Sequence, residues 1–151
     1  MKTKILALLL FVTLSINAQE AHVLVGQKAI EIGASFTNER ELIFGFSLSG
    51  VDSKLSEKRA NKNDIGKIHD FNDKYTPAVF GLIGGEFDEL SVIGKLGAGY
   101  VNQSINSIPD SKKIYFAVGI MIDYEISSVV SLKSSFDSVN SIMAGIGIKI
   151  N

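Results

Sequence analysis

Residues 114–124 read IYFAVGIMIDY. Ile114, Phe116, Val118, Ile120, Ile122 and Tyr124 fall on one face, and Tyr115, Ala117, Gly119, Met121 and Asp123 on the other. A period of two is that of a β-strand, whose successive side chains point to opposite faces; a helix would group every third and fourth residue instead. The last run repeats the pattern, with Ile142, Ala144, Ile146, Ile148 and Ile150 against Met143, Gly145, Gly147 and Lys149. So does Leu42, Phe44, Phe46 and Leu48 against Ile43, Gly45 and Ser47.

Working outward, Ile30, Ile32, Ala34 and Phe36 oppose Glu31, Gly33 and Ser35, and Leu90, Val92, Leu96, Ala98 and Tyr100 oppose Ser91, Ile93, Lys95, Gly97 and Gly99. Val130, Leu132 and Phe136 stand against Ser131, Lys133 and Ser135. Pro77 to Phe87 is nearly all apolar or glycine, and its facing stays open. Seven runs result, at 28–38, 41–51, 76–87, 90–102, 113–124, 128–136 and 141–150, separated by polar turns. His22 to Val25 is the candidate for an eighth. Gly84-Gly85 suggests a bend or bulge. Residues 52–75 form one long insertion, in which 11 of 24 residues are charged with balanced signs. It reads as a solvated loop, pinned by Ile65, Ile68 and Phe71 as a short helix.

The start of the chain has a different character. Lys2 and Lys4 precede an apolar run from Ile5 to Leu14 and a small residue, Ala18. This is the pattern of a secretory signal peptide over residues 1–18, leaving 19–151 as the mature domain; a spanning helix would need about 20 apolar residues. Its removal takes the formal net charge from −1 to −3. The chain lacks cysteine, which excludes disulfides, thiolate metal sites and thiol catalysis. Its charge gives no general reason to bind nucleic acid.

A soluble barrel or sandwich turns its bulky face inward and carries many charges on the wet face. Here the second face is mostly Gly, Ser and Ala. Small residues suit a narrow barrel interior, and rows of Ile, Leu, Val and Phe suit hydrocarbon outside. The few charges on the small face, Glu31, Lys95, Asp123, Lys133 and Lys149, have both signs and can pair inside a barrel. Tyr100, Tyr124 and Phe136 lie near strand ends on the bulky face, as interfacial aromatics do. The expected fold is therefore all-β, an antiparallel up-and-down transmembrane β-barrel of eight strands. An even strand count places 52–75, 103–112 and 137–141 outside the cell and 38–40, 88–89 and 127–128 in the periplasm. The alternative is a soluble periplasmic β-barrel that binds a small apolar ligand with its bulky face inward.

With Gly97-Ala98-Gly99-Tyr100 and Gly145-Ile146-Gly147-Ile148-Lys149-Ile150 in place, the mature chain resembles the small outer-membrane β-barrel proteins of Gram-negative bacteria, the OmpX-like or OmpA-barrel-like group. The resemblance implies location in the cell outer membrane, contact with outer-membrane lipids and recognition by the barrel-assembly machinery. It departs from the group at Ile150-Asn151, where such barrels usually carry an aromatic residue.

No catalytic constellation emerges. His22 and His69 are the two histidines, and neither falls with a serine and an acid on one strand face. His22 reads as a periplasmic-edge residue. His69, Asp70 and Asp73 have ligand chemistry, yet residues 61–72 fail the calcium-loop pattern at Ile65 and Asn72, and the expectation is no metal and no cofactor. Gly97-Ala98-Gly99 precedes no helix start and so is not a phosphate loop. What remains is a charged loop on a rigid frame, the usual location of recognition. Lys58, Arg59, Asp64, His69, Asp70 and Asp73 are its candidate surface residues, with an extracellular protein or polysaccharide as partner. The expected role is non-enzymatic: surface recognition, adhesion or envelope integrity.

Overall fold

The computed structural model describes residues 19–63, 65–106, 108–109 and 113–150. The expected signal peptide, residues 1–18, lies outside them. Eight long strands follow the period-two runs: β1 (Glu20–Gly26), β2 (Ala29–Thr37), β3 (Leu42–Asp52), β5 (Tyr75–Phe87), β6 (Leu90–Val101), β9 (Lys113–Glu125), β10 (Val130–Asp137) and β11 (Ser141–Lys149). They pair in the order β1-β11-β10-β9-β6-β5-β3-β2, and β2 pairs with β1 to close an antiparallel barrel. Closure satisfies both sides of every strand and leaves no edge. The short run at His22 is thus a full wall strand, held by β2 on one side and β11 on the other.

Connections 38–41, 88–89 and 126–129 share one end with Gln19 and Ile150, where the Ile150 amide donates to the Gln19 carbonyl at 2.7 Å. The opposite end carries the turn 27–28, the long insertion, the segment after β6 and the turn 138–140. The first is the open end of the barrel and the second its helix end. At 27–28 and 88–89 two residues suffice, with Lys28 and Asp88 in the left-handed region at φ of 58° and 55°, as tight hairpins require.

The bulky rows face outward. Phe116 is 73% exposed, Ile120 46% and Ile122 46%, while on the same strand Ala117 and Met121 are fully buried. β5, whose facing the sequence left open, sends Thr76, Ala78, Phe80 and Leu82 inward and Pro77, Val79 and Ile83 outward. The inverse arrangement, on which the soluble alternative depends, is absent from the described barrel. Inside, Leu24, Val51, Phe80, Leu82, Ile93, Met121 and Met143 form an apolar core with Val139 of the 138–140 turn. Interior glycines make room for it and for polar neighbours: a Cβ at Gly99 would strike the Tyr115 ring, and one at Gly119 would strike Asp137.

Three expectations need correction. The register through Gly84-Gly85 is unbroken, so there is no bulge; Gly84 instead lies so close to Val92 and Ile93 of β6 that a Cβ would collide with their backbone. The insertion is not a solvated loop with a helix near 65–71. Its helix is α1 (Ser53–Asn63), while Ile65 and Ile68 are exposed and Phe71 alone is half-buried. Finally, β4 (His69–Phe71) joins β7 (Gln103–Ile105) and β8 (Ile108–Pro109) in a small antiparallel sheet, so the polar stretch after β6 is in part structured.

Candidate functional site

The helix end is built from the insertion downward. Asp52 Oδ1 accepts from the Lys54 amide at 3.0 Å and caps α1, satisfying one of the donors a helix start leaves open. Leu55 packs onto the barrel core. Arg59 Nη1 donates to the Val139 carbonyl at 2.6 Å and fastens the helix to the 138–140 turn. Asn61 makes a two-way bond with the His69 backbone, accepting from its amide at 2.7 Å and donating to its carbonyl at 3.1 Å. Glu57 accepts from the Phe71 amide at 3.0 Å. The helix therefore bridges the barrel mouth and the small sheet.

This frame sorts the expected recognition residues. Lys58, Asp70 and Asp73 are exposed. Arg59 is half-buried and spent on the turn, and Asp64 lies outside the described residues. His69 is 8% exposed, with Nδ1 3.1 Å from Gln103 Oε1, so it belongs to the small sheet's packing and not to a surface shared with Asp70 and Asp73. No group of three or more His, Asp or Glu among the described residues is placed to hold a metal ion. Sequence reasoning missed Lys54 and Lys62. With Lys58 they are exposed and spaced i, i+4, i+8, which puts three ammonium groups on one stripe of α1. That spacing was present in the sequence, hidden by treating the segment as loop.

The barrel interior holds two lysine-centred clusters. In the first, Lys95 Nζ donates to Glu31 Oε2 and Asp137 Oδ2, each at 2.7 Å, with all three side chains fully buried, and the ammonium sits 4.4 Å from the Phe80 ring centroid. Asn140, folded inward from the turn, donates to Asp137 Oδ2 at 3.1 Å and Ser49 Oγ at 3.0 Å. Asp137 Oδ1 accepts from the amides of Val139 and Asn140 at 3.0 and 2.7 Å. His22 is 2% exposed and its Nε2 lies 3.9 Å from Glu31 Oε1, beyond hydrogen-bond length. It is a lumen residue and not the edge residue expected, because β1 is a complete strand whose even positions near it point inward over Gly33.

In the second cluster, Lys133 Nζ lies 2.5 Å from Asp123 Oδ2 and 2.8 Å from Glu20 Oε1, and Ser131 Oγ donates to the same Glu20 oxygen at 2.9 Å. Lys149 bonds to Glu125 nearer the rim. Thus Glu31, Lys95, Asp123, Lys133 and Lys149 all pair as their placement on the small face suggested, although Glu20 and Asp137 were not foreseen as partners. Above the second cluster the open end holds a cavity of about 460 Å³. The core and first cluster fill the barrel between that cavity and the helix end.

No protein-family model matches the chain, and no curated protein sequence does. Solved structures do resemble it. A de novo designed transmembrane β-barrel superposes with a TM-score of 0.51 at 15% identity, covering 87% of this chain and 93% of the other. Neisserial surface protein A gives 0.47 at 12% identity over 87% and 92%. Ail, the attachment invasion locus protein of Yersinia pestis, gives 0.45 at 10% over 85% and 88%, in a complex with the heparin analogue sucrose octasulfate. At these identities the likeness is one of fold: the chain has the architecture of a small eight-stranded transmembrane β-barrel.

Proposed function

We propose that this protein is an integral outer-membrane β-barrel, non-enzymatic, that presents its helix end outside the cell for surface recognition, adhesion or envelope integrity. The observation that carries the reading is the direction of the apolar rows. Ile30, Leu48, Ile83, Leu96, Ile120 and Ile146 are each 40% exposed or more and belong to one continuous outer wall. Left in water, each such half-exposed side chain forgoes about 1 kcal/mol of burial, and only lipid covers all sides of a closed barrel at once. The filled interior argues against solute passage, so the work falls to the ends. With the Gln19 and Ile150 end in the periplasm, the helix end is extracellular, and the Lys54, Lys58 and Lys62 stripe offers an anionic polysaccharide or acidic protein surface a row of donors. Outer-membrane lipids and the barrel-assembly machinery are the partners this location requires.

Fractionation of cells expressing the native chain tests the reading. The protein should stay with the outer membrane through carbonate extraction and migrate faster unboiled than boiled. Release by carbonate without detergent would refute it. On whole cells, replacing Lys54, Lys58 and Lys62 together with alanine should lower capture of dextran sulfate, used as the anionic probe, while leaving the unboiled mobility unchanged. Unchanged capture would remove the stripe from the proposal.

A further inference from the structure

A cavity of about 160 Å³ lies between α1, the small sheet and the barrel rim. Phe71 of β4, Val101 of β6 and Val139 of the 138–140 turn give it an apolar wall. Its one charged lining residue is Arg59. The bond to the Val139 carbonyl holds this guanidinium in place and uses one of its several N–H donors. No carboxylate among the described residues pairs with it. Glu57, on the same helix, is bonded to the Phe71 amide and lies outside the lining. Asp137, close enough to Tyr115 of the lining to act on it electrostatically, is taken up by Lys95, Asn140 and two backbone amides. The hydroxyls of Ser56 and Tyr115, also in the lining, have no hydrogen bond to another described group.

A half-buried cation with spare donors and no counter-charge favours an anion, and the planar fork of a guanidinium matches the two oxygens of a carboxylate. The apolar wall asks for more than an inorganic anion. A cavity of about 150 Å³ lined by aliphatic and aromatic groups accepts a benzene-sized body, and this one is of that size. We propose that it binds a small apolar monocarboxylate as a free molecule, with the hydrocarbon body against Phe71, Val101 and Val139, the carboxylate on Arg59, and Ser56 as a further donor. The walls are preset. Glu57 fixes the Phe71 backbone, and Thr76 Oγ1 lies 3.3 Å from Ser53 Oγ, so little ordering has to accompany binding. The lining excludes Lys54, Lys58 and Lys62, so the site is separate from their stripe and holds whichever side of a membrane the helix end faces.

The test uses the mature chain folded in a nonionic detergent, with sodium benzoate as the probe and backbone amide NMR shifts as the readout. Saturable shifts are expected at Ser56, Phe71 and Val139, and none at Lys28 of the same end. Benzyl alcohol keeps the ring without the charge, and acetate keeps the charge without the ring; each should bind about tenfold more weakly or worse. Arg59→Gln should weaken benzoate about tenfold, the loss of charge-assisted hydrogen bonds. Arg59→Lys should weaken it about threefold, since the charge stays and the fork is lost. Unboiled gel mobility establishes that each variant is folded; if Arg59→Gln does not fold, the series of benzoate, benzyl alcohol and acetate on the native chain carries the test. Absence of saturable shifts, shifts confined to the Lys54, Lys58 and Lys62 stripe, equal binding of either analogue, or equal affinity in the folded Arg59→Gln chain would each overturn the proposal.

Discussion

The two lysine clusters inside the barrel share a formula and differ in enclosure. Lys95 lies between Glu31 and Asp137 with no side chain of the three reaching solvent, under the inward-folded 138–140 turn and beside His22. Lys133 lies between Glu20 and Asp123, whose side chains keep 12% and 9% of their surface, beneath an open cavity. In both, one ammonium serves two carboxylates. The closed cluster also takes hydrogen bonds from Asn140 and two backbone amides and the open one from Ser131, and each leaves one buried carboxylate oxygen without a hydrogen-bond partner, Glu31 Oε1 in the first and Asp123 Oδ1 in the second. The same motif thus stands sealed at one level of the lumen and beneath an open cavity at the other.

That contrast can be broken by substitution. Gly119 lies in register between Lys95 and Asp137, and even a Cβ there would meet Asp137. Gly119→Trp should leave no folded barrel, read as loss of the fast-migrating unboiled band; a folded, unchanged variant would show the small face is not a packed interior. Lys95→Met strands two buried carboxylates and should cost about 3–5 kcal/mol in urea unfolding from lipid vesicles. Lys133→Met makes the same change where water can reach the acids and should cost about 1–3 kcal/mol in the same assay. Equal losses for the two would erase the distinction between closed and open clusters. Arg59→Ala, which frees the turn over the closed cluster without touching its charges, should cost about 1 kcal/mol and speed amide exchange at Val139 and Asn140.

Much of this was legible because β-sheet facing is written into the sequence at a period of two. The strands, the outward rows and the interior charges Glu31, Lys95, Asp123 and Lys133 follow directly from it. Their pairing does not: Glu31 on β2 and Lys95 on β6 are 64 residues apart and meet only across the closed lumen. Asp137 was read as a turn residue, but it is the last residue of β10, and the same alternation that buries Ser131, Lys133 and Ser135 points it inward. His22 was misplaced because a strand of seven residues at the chain's start shows too few alternations to reveal that it is complete. The helix was missed for a different reason. Ser53–Asn63 contains good helix formers and follows a capping aspartate, Asp52, but has so little apolar surface that its charges read as loop; Leu55 and Arg59 hold it by contacts that no local pattern announces.

Lipid must cover the outer rows of a barrel that spans a membrane, and the absence of tryptophan from the chain makes that directly measurable. A single tryptophan introduced as Ile120→Trp, on the outward face at the middle of β9, should emit in the blue and be quenched strongly by lipids brominated near the bilayer centre, with little quenching by aqueous acrylamide. Strong acrylamide quenching with no effect of the brominated lipids would contradict it.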